Sequence, residues 1–168
     1  MKLAGYIVLV FLAAALESAL PRLLFLDVAR PLCVVVLVVH FARTLGTGEG
    51  AALSLFAGFV EDATAGFGTG LAAFACVVVF VVARVMFGGL KADGWLVETL
   101  FAGLAGLLWL ATVTLVERLL GPPLSPFAAG TWLSMALWSS LATALASPLL
   151  LGAARRVERL EKRSAGAL

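Results

Sequence analysis

The chain is 168 residues long, 62% hydrophobic and 13% charged, with a formal net charge of +2 and a mean hydropathy of +1.10. An ordinary soluble domain carries about 25% charged residues, and sustained apolar stretches mark bilayer spans. These values exclude a soluble globular fold and predict an all-α polytopic membrane protein, with room for roughly five to seven spans and no sizeable soluble domain.

In chain order, apolar runs divided by charge, Gly and Pro predict six helices: Leu3–Leu20, Val28–Arg43, Glu49–Glu61, Thr69–Phe87, Trp95–Arg118 and Gly130–Ala154. The first follows Met1-Lys2 as a signal peptide would. Its apolar part is long for one, however, and Ser18-Ala19-Leu20-Pro21-Arg22 is a poor cleavage site, so it reads as a retained helix. Arg30-Pro31 interrupts the outer end of the second run, and the third is short for a span. Tilt, local thinning or burial against neighbours accommodates such lengths. The alternative has five spans, with Glu49–Glu61 re-entrant.

Charge sets the orientation. With six spans and the N-terminus inside, the inner side holds nine basic residues: Lys2, Arg43, Arg84, Lys91, Arg155, Arg156, Arg159, Lys162 and Arg163. The outer side holds three, Arg22, Arg30 and Arg118, which obeys the positive-inside rule. Residues 1–154 then form the transmembrane domain and 155–168 a basic cytoplasmic tail that continues the last helix, where Glu158 and Lys162 make an i,i+4 pair. Anionic lipid is the simplest partner for that tail, and a cytoplasmic protein the sharper alternative.

Ionised groups at mid-bilayer are expensive and usually functional. Here they sit towards span ends: Glu17, Glu61, Asp62, Glu117 and Arg118 outside, His40, Arg43, Arg84 and Glu98 inside. That placement argues against an ion-coupled pump or proton relay, and His40 reads as an interfacial side chain. The sequence has one His, no HExxH, no DDxxD and no P-loop. No catalytic residue, cofactor, metal site or nucleic-acid partner is therefore expected. Cys33 and Cys76 lie inside apolar runs without CxxC spacing and read as small apolar residues.

Small residues mark expected helix contacts: Ala15 with Ala19, Ala102 with Gly106, and a stripe of Ala136, Ser140, Thr143 and Ser147 in the last span. The stripe faces either the internal core or a partner. Trp95 and Trp132 fit interfacial anchors, whereas Trp109 and Trp138 lie deeper and should pack. Gly121-Pro-Pro-Leu-Ser-Pro126 reads as a stiff outer loop.

The most informative segment is Gly58-Phe-Val-Glu-Asp62, followed by Gly66-Phe-Gly68-Thr-Gly70. Gly58 and Asp62 are four residues apart and share a helix face, where a neighbouring helix can approach closely. Glu61-Asp62 is the sole acidic doublet, and its side chains point to different faces, which is poor geometry for a shared metal. Asp62 reads as structural, accepting hydrogen bonds from N–H groups of the Gly-rich turn.

Three stretches resemble the MreD family, the small membrane subunit of the bacterial rod-shape system. Asp27-Val-Ala-Arg-Pro31-Leu resembles that family's proline-headed second span, Ala51 to Asp62 its Gly-x-x-x-Asp segment, and Gly66 to Phe74 the Gly-rich start of its next long helix. Length, helix count and basic tail also agree. The chain departs from the pattern at Ser54 and Leu55, where the family usually has another glycine, and at Glu61, often apolar there.

The resemblance implies a non-enzymatic scaffold in the bacterial inner membrane with both termini cytoplasmic. It implies binding to an MreC-like single-span protein and, indirectly, work with MreB, RodA and a penicillin-binding transpeptidase in peptidoglycan elongation and cell shape. It also implies six transmembrane helices arranged like the substrate-binding subunit of energy-coupling-factor transporters. That kinship supplies the alternative function, a small-molecule (vitamin-type) uptake subunit.

Overall fold

The computed structural model describes residues 2–24, 30–65, 70–89, 95–120 and 129–165. These form six α-helices: α1 (Lys2–Leu24), α2 (Cys33–Thr44), α3 (Thr47–Ala65), α4 (Leu71–Gly89), α5 (Trp95–Leu120) and α6 (Ala129–Ala165). Four carry stretches long and apolar enough to cross a bilayer: Leu3–Leu20, Leu71–Gly88, Val97–Leu119 and Ser134–Arg156. The architecture is that of an all-α membrane protein.

Helix α2 is the hub. It packs against all five other helices, and every residue from Cys33 to Ala42 is buried. Its run of Val and Leu has no polar face because no face meets lipid or water. Its 12 residues rise about 18 Å, short of a hydrocarbon core of about 30 Å. A helix this short survives at membrane depth when neighbouring protein covers both of its ends. The sequence places its start at Val28, but the helix begins at Cys33, after Arg30-Pro31. Proline disfavours helical backbone at the residue before it, so Arg30 stays outside the helix.

The surrounding helices bury one face each. In α1 the buried positions are Tyr6, Leu9, Val10, Ala13, Ala14 and Glu17, spaced three and four apart, while Val8, Phe11, Leu12 and Leu16 are exposed. Outward apolar side chains of this kind suit lipid, which solvates them as well as a protein core does. Helix α3 is longer at both ends than the sequence indicates, running from Thr47 rather than Glu49 and past Glu61 to Ala65. Helix α6 runs without a break from Ala129 into the basic segment. Pro148 lies within it and cannot donate to the Ala144 carbonyl four residues back. The Ser147 hydroxyl donates to that carbonyl instead, at 2.8 Å.

Two expectations are corrected. His40 does not face outward: it is 2% exposed, its ring 6.4 Å from that of Tyr6, because α2 has no face outside the bundle. Trp138 does not pack inside: it is 57% exposed on the outer face of α6, whereas Trp109 is buried. Trp138 shares the outward face of α6 with the exposed Leu141 and Leu145, three and seven residues on. The side chains of Trp95 and Trp132 and the loop Gly121–Pro126 lie outside the described residues.

Candidate functional site

Polar groups gather at the two ends of α2. The upper end is the one at which α2 starts, and the lower end the one at which it finishes.

At the upper end the first backbone N–H groups of α2 and its approach lack helical partners and need acceptors. Neighbouring helices supply them. The Arg30 N–H donates to Ser139 Oγ at 3.3 Å, the Leu32 N–H to Thr143 Oγ1 at 2.9 Å, and the Val34 N–H to Glu17 Oε2 at 3.3 Å. The Thr143 hydroxyl donates to the Ser139 carbonyl at 2.7 Å, which leaves its oxygen free to accept. The Arg30 guanidinium then joins two carboxylates, Nε to Glu17 Oε1 at 3.4 Å and Nη2 to Glu61 Oε1 at 3.1 Å. Helices α1, α3 and α6 are thereby tied to the start of α2.

Beside this cluster, Gly58 and Asp62 join α3 to α4. A Cβ on Gly58 would stand 2.3 Å from Ala73 Cα and 2.7 Å from both Ala72 O and Ala73 N, so the two backbones touch there. One turn on, Asp62 Oδ1 accepts the Ala72 N–H at 3.0 Å and Oδ2 accepts the Ala73 N–H at 3.1 Å. The carboxylate thus caps α4, where negative charge is also favoured by the helix dipole. The donors belong to the first turn of α4 and not to the Gly-rich turn itself. Gly70, just before that turn, has φ +72°, a conformation that costs other residues about 1–2 kcal/mol. Gly66 and Gly68 lie outside the described residues.

Ala136, Ser140, Thr143 and Ser147 are all buried and face inward. Gly103 and Gly106 of α5 lie within ordinary contact of α6, a Cβ on the former being 3.4 Å from Ala144 Cβ and on the latter 3.7 Å from Thr143 Oγ1. The stripe is therefore an internal seam, and its Ser140 and Ser147 hydroxyls donate to carbonyls of their own helix. Ala102 is buried on the same side of α5, whereas Ala15 of α1 is exposed.

At the lower end Arg84 Nη1 donates to the Ala42 and Leu45 carbonyls at 2.8 and 2.7 Å, closing the end of α2. Glu98 pairs with both Arg43 and Arg155 and so links α2, α5 and the start of the basic segment. Among the described residues, no three His, Cys, Asp or Glu side chains gather as metal ligands would.

Sequence reasoning paired none of these charges across helices. The signal lies in their depth, since the sequence places Glu17, Arg30 and Glu61 at one level of the membrane and Arg43 and Glu98 at the other. Opposite charges at one depth of a small bundle are expected to find each other. A Cβ on Gly50 would lie 2.6 Å from Phe80 Cε2, a further close approach of α3 and α4 that the sequence does not single out.

No family model matches the chain, and no curated protein or solved structure does so either.

Proposed function

We propose that this protein is a non-enzymatic, six-span scaffold subunit of the bacterial cell-elongation machinery, akin to MreD. It sits in the inner membrane with both termini cytoplasmic and holds an MreC-like single-span partner. Through that partner it is coupled to MreB, RodA and a penicillin-binding transpeptidase during peptidoglycan synthesis.

One observation carries most of the support. Described residues of the three stretches on which the resemblance rests meet at the upper end of the bundle, Arg30 of the first lying 31 residues before Glu61 of the second and the third following Asp62 after three residues. Arg30 of the first pairs with Glu61 of the second, and Asp62 of the second caps the helix that the third begins. Residues that meet in this way constitute one structural unit, as a shared family motif requires. The acidic side chains there serve to hold helices together, which suits a protein that presents a fixed surface to partners.

Depletion of the protein in its rod-shaped host tests the reading. Cells should become round, with insertion of new wall no longer following the cylinder. Restoration by a copy carrying Asp62→Leu, matched for protein level, should be incomplete. Normal rods after full depletion would refute the proposal.

A further inference from the structure

Among the described residues the upper cluster contains two carboxyl groups and one guanidinium, so with all three ionised it bears one uncompensated negative charge inside the apolar bundle. Glu17 is 0% and Glu61 2% exposed, so solvent does not screen that charge. The donors also fall short. Arg30 Nη2 serves Glu61 Oε1 and the Val34 N–H serves Glu17 Oε2. Glu61 Oε2 receives no hydrogen bond, and neither does Glu17 Oε1, which Arg30 Nε approaches only to 3.4 Å. The two carboxyl groups nonetheless sit on neighbouring nitrogens, Nε and Nη2, of one guanidinium. Ionised carboxylates only accept, so two of them side by side have nothing to exchange, whereas a protonated carboxyl donates.

We propose that Glu17 and Glu61 form a binding site for a single proton, held between their carboxyl groups beside Arg30. Binding places one O–H on the pair and breaks no bond, the proton coming from water on the side where the Arg30 side chain is 39% exposed. The bound cluster is neutral and its missing donor is supplied.

Among the described residues, the other groups nearby do not compete for this role. Asp62 of α3 is committed to the Ala72 and Ala73 N–H groups. Ser139 and Thr143 of α6 are committed to the Arg30 and Leu32 N–H groups. Cys33 of α2 and Cys76 of α4 are buried thiols, and the buried Trp109 of α5 does not titrate. Loss of the proton would set two like charges against each other between α1 and α3, so occupancy controls how tightly those helices pack. The inference does not depend on the scaffold reading.

The test uses the full chain in lipid nanodiscs, with infrared spectra recorded on unlabelled and carboxyl-13C-glutamate protein. At neutral pH we expect a protonated-carboxyl C=O band equivalent to one group per chain. It should shift with the label, vanish in Glu61→Gln and persist in Glu98→Gln. Glu61→Gln, which offers an amide N–H to Glu17 without charge, should unfold at a temperature close to wild type and lose the wild-type decline in stability at alkaline pH. Should that variant fail to fold, Glu17→Gln serves in its place, and the wild-type spectrum stands by itself. Absence of the band at neutral pH overturns the proposal. Absence of the band with stabilisation by sodium chloride over choline chloride, lost in Glu61→Gln, also overturns it and assigns the site to a metal cation.

Discussion

Replacing Gly58 by alanine tests the α3–α4 contact with one methyl group. Alanine favours helix over glycine by about 1 kcal/mol, so an exposed site would gain stability. Here the added Cβ would sit 2.3 Å from Ala73 Cα, and relief needs a separation of about 1 Å to reach ordinary carbon–carbon contact near 3.5 Å. The obstacle is backbone, so no side-chain rotation relieves it. The same displacement would stretch the Asp62 bonds to Ala72 and Ala73, now 3.0 and 3.1 Å, towards 4 Å, where little hydrogen bonding remains. A hydrogen bond to a charged group contributes about 1.5–3 kcal/mol. Losing one to two of them, offset by the helix gain, gives a net loss of about 0.5–5 kcal/mol. Reversible unfolding in mixed micelles, read by tryptophan fluorescence, measures this directly. Gly152→Ala provides the control, because a Cβ there meets nothing within 4 Å, and it should unfold at or above wild type. Gly58→Ala as stable as that control would refute the close approach of α3 and α4.

Three further outcomes follow from the same geometry. Asp62→Asn keeps one carbonyl acceptor where the carboxylate uses two, so it should lose about 1–3 kcal/mol in the same unfolding assay and Asp62→Leu clearly more; equal losses would contradict the two-oxygen cap. Thr143→Val leaves the buried Leu32 N–H without its acceptor and should cost about 1–3 kcal/mol, while Thr143→Ser stays near wild type; a neutral valine would show that the hydroxyl is dispensable. Cysteines introduced near Ser125 and Ser164 should label from opposite sides of the membrane, as six spans require, and labelling from one side would refute that topology.

The number and order of the helices were legible in the sequence, because each apolar run ends in charge, Gly or Pro. The Gly58/Asp62 spacing was legible too, since residues four apart must share a helix face. What was hidden followed from tertiary context. The burial of α2 on every side could not be read from a run of valines and leucines, which would suit lipid as well as protein. The inward direction of Ser140 and Thr143 depended on which neighbours α6 met. The exposure of Trp138 required the rotation of α6 about its axis, and hydropathy alone does not fix that angle. The charge pairs depended on relative depth, which hydropathy resolves only to the nearest end of a span.

Affinity purification of the intact protein in mild detergent, followed by mass spectrometry of the co-purifying proteins and of extracted small molecules, tests the proposed scaffold role most directly. The account predicts a single-span, MreC-like protein at near-stoichiometric level and no small molecule in comparable amount. A vitamin-like compound bound one to one, with no such protein partner, would contradict it and favour an uptake subunit.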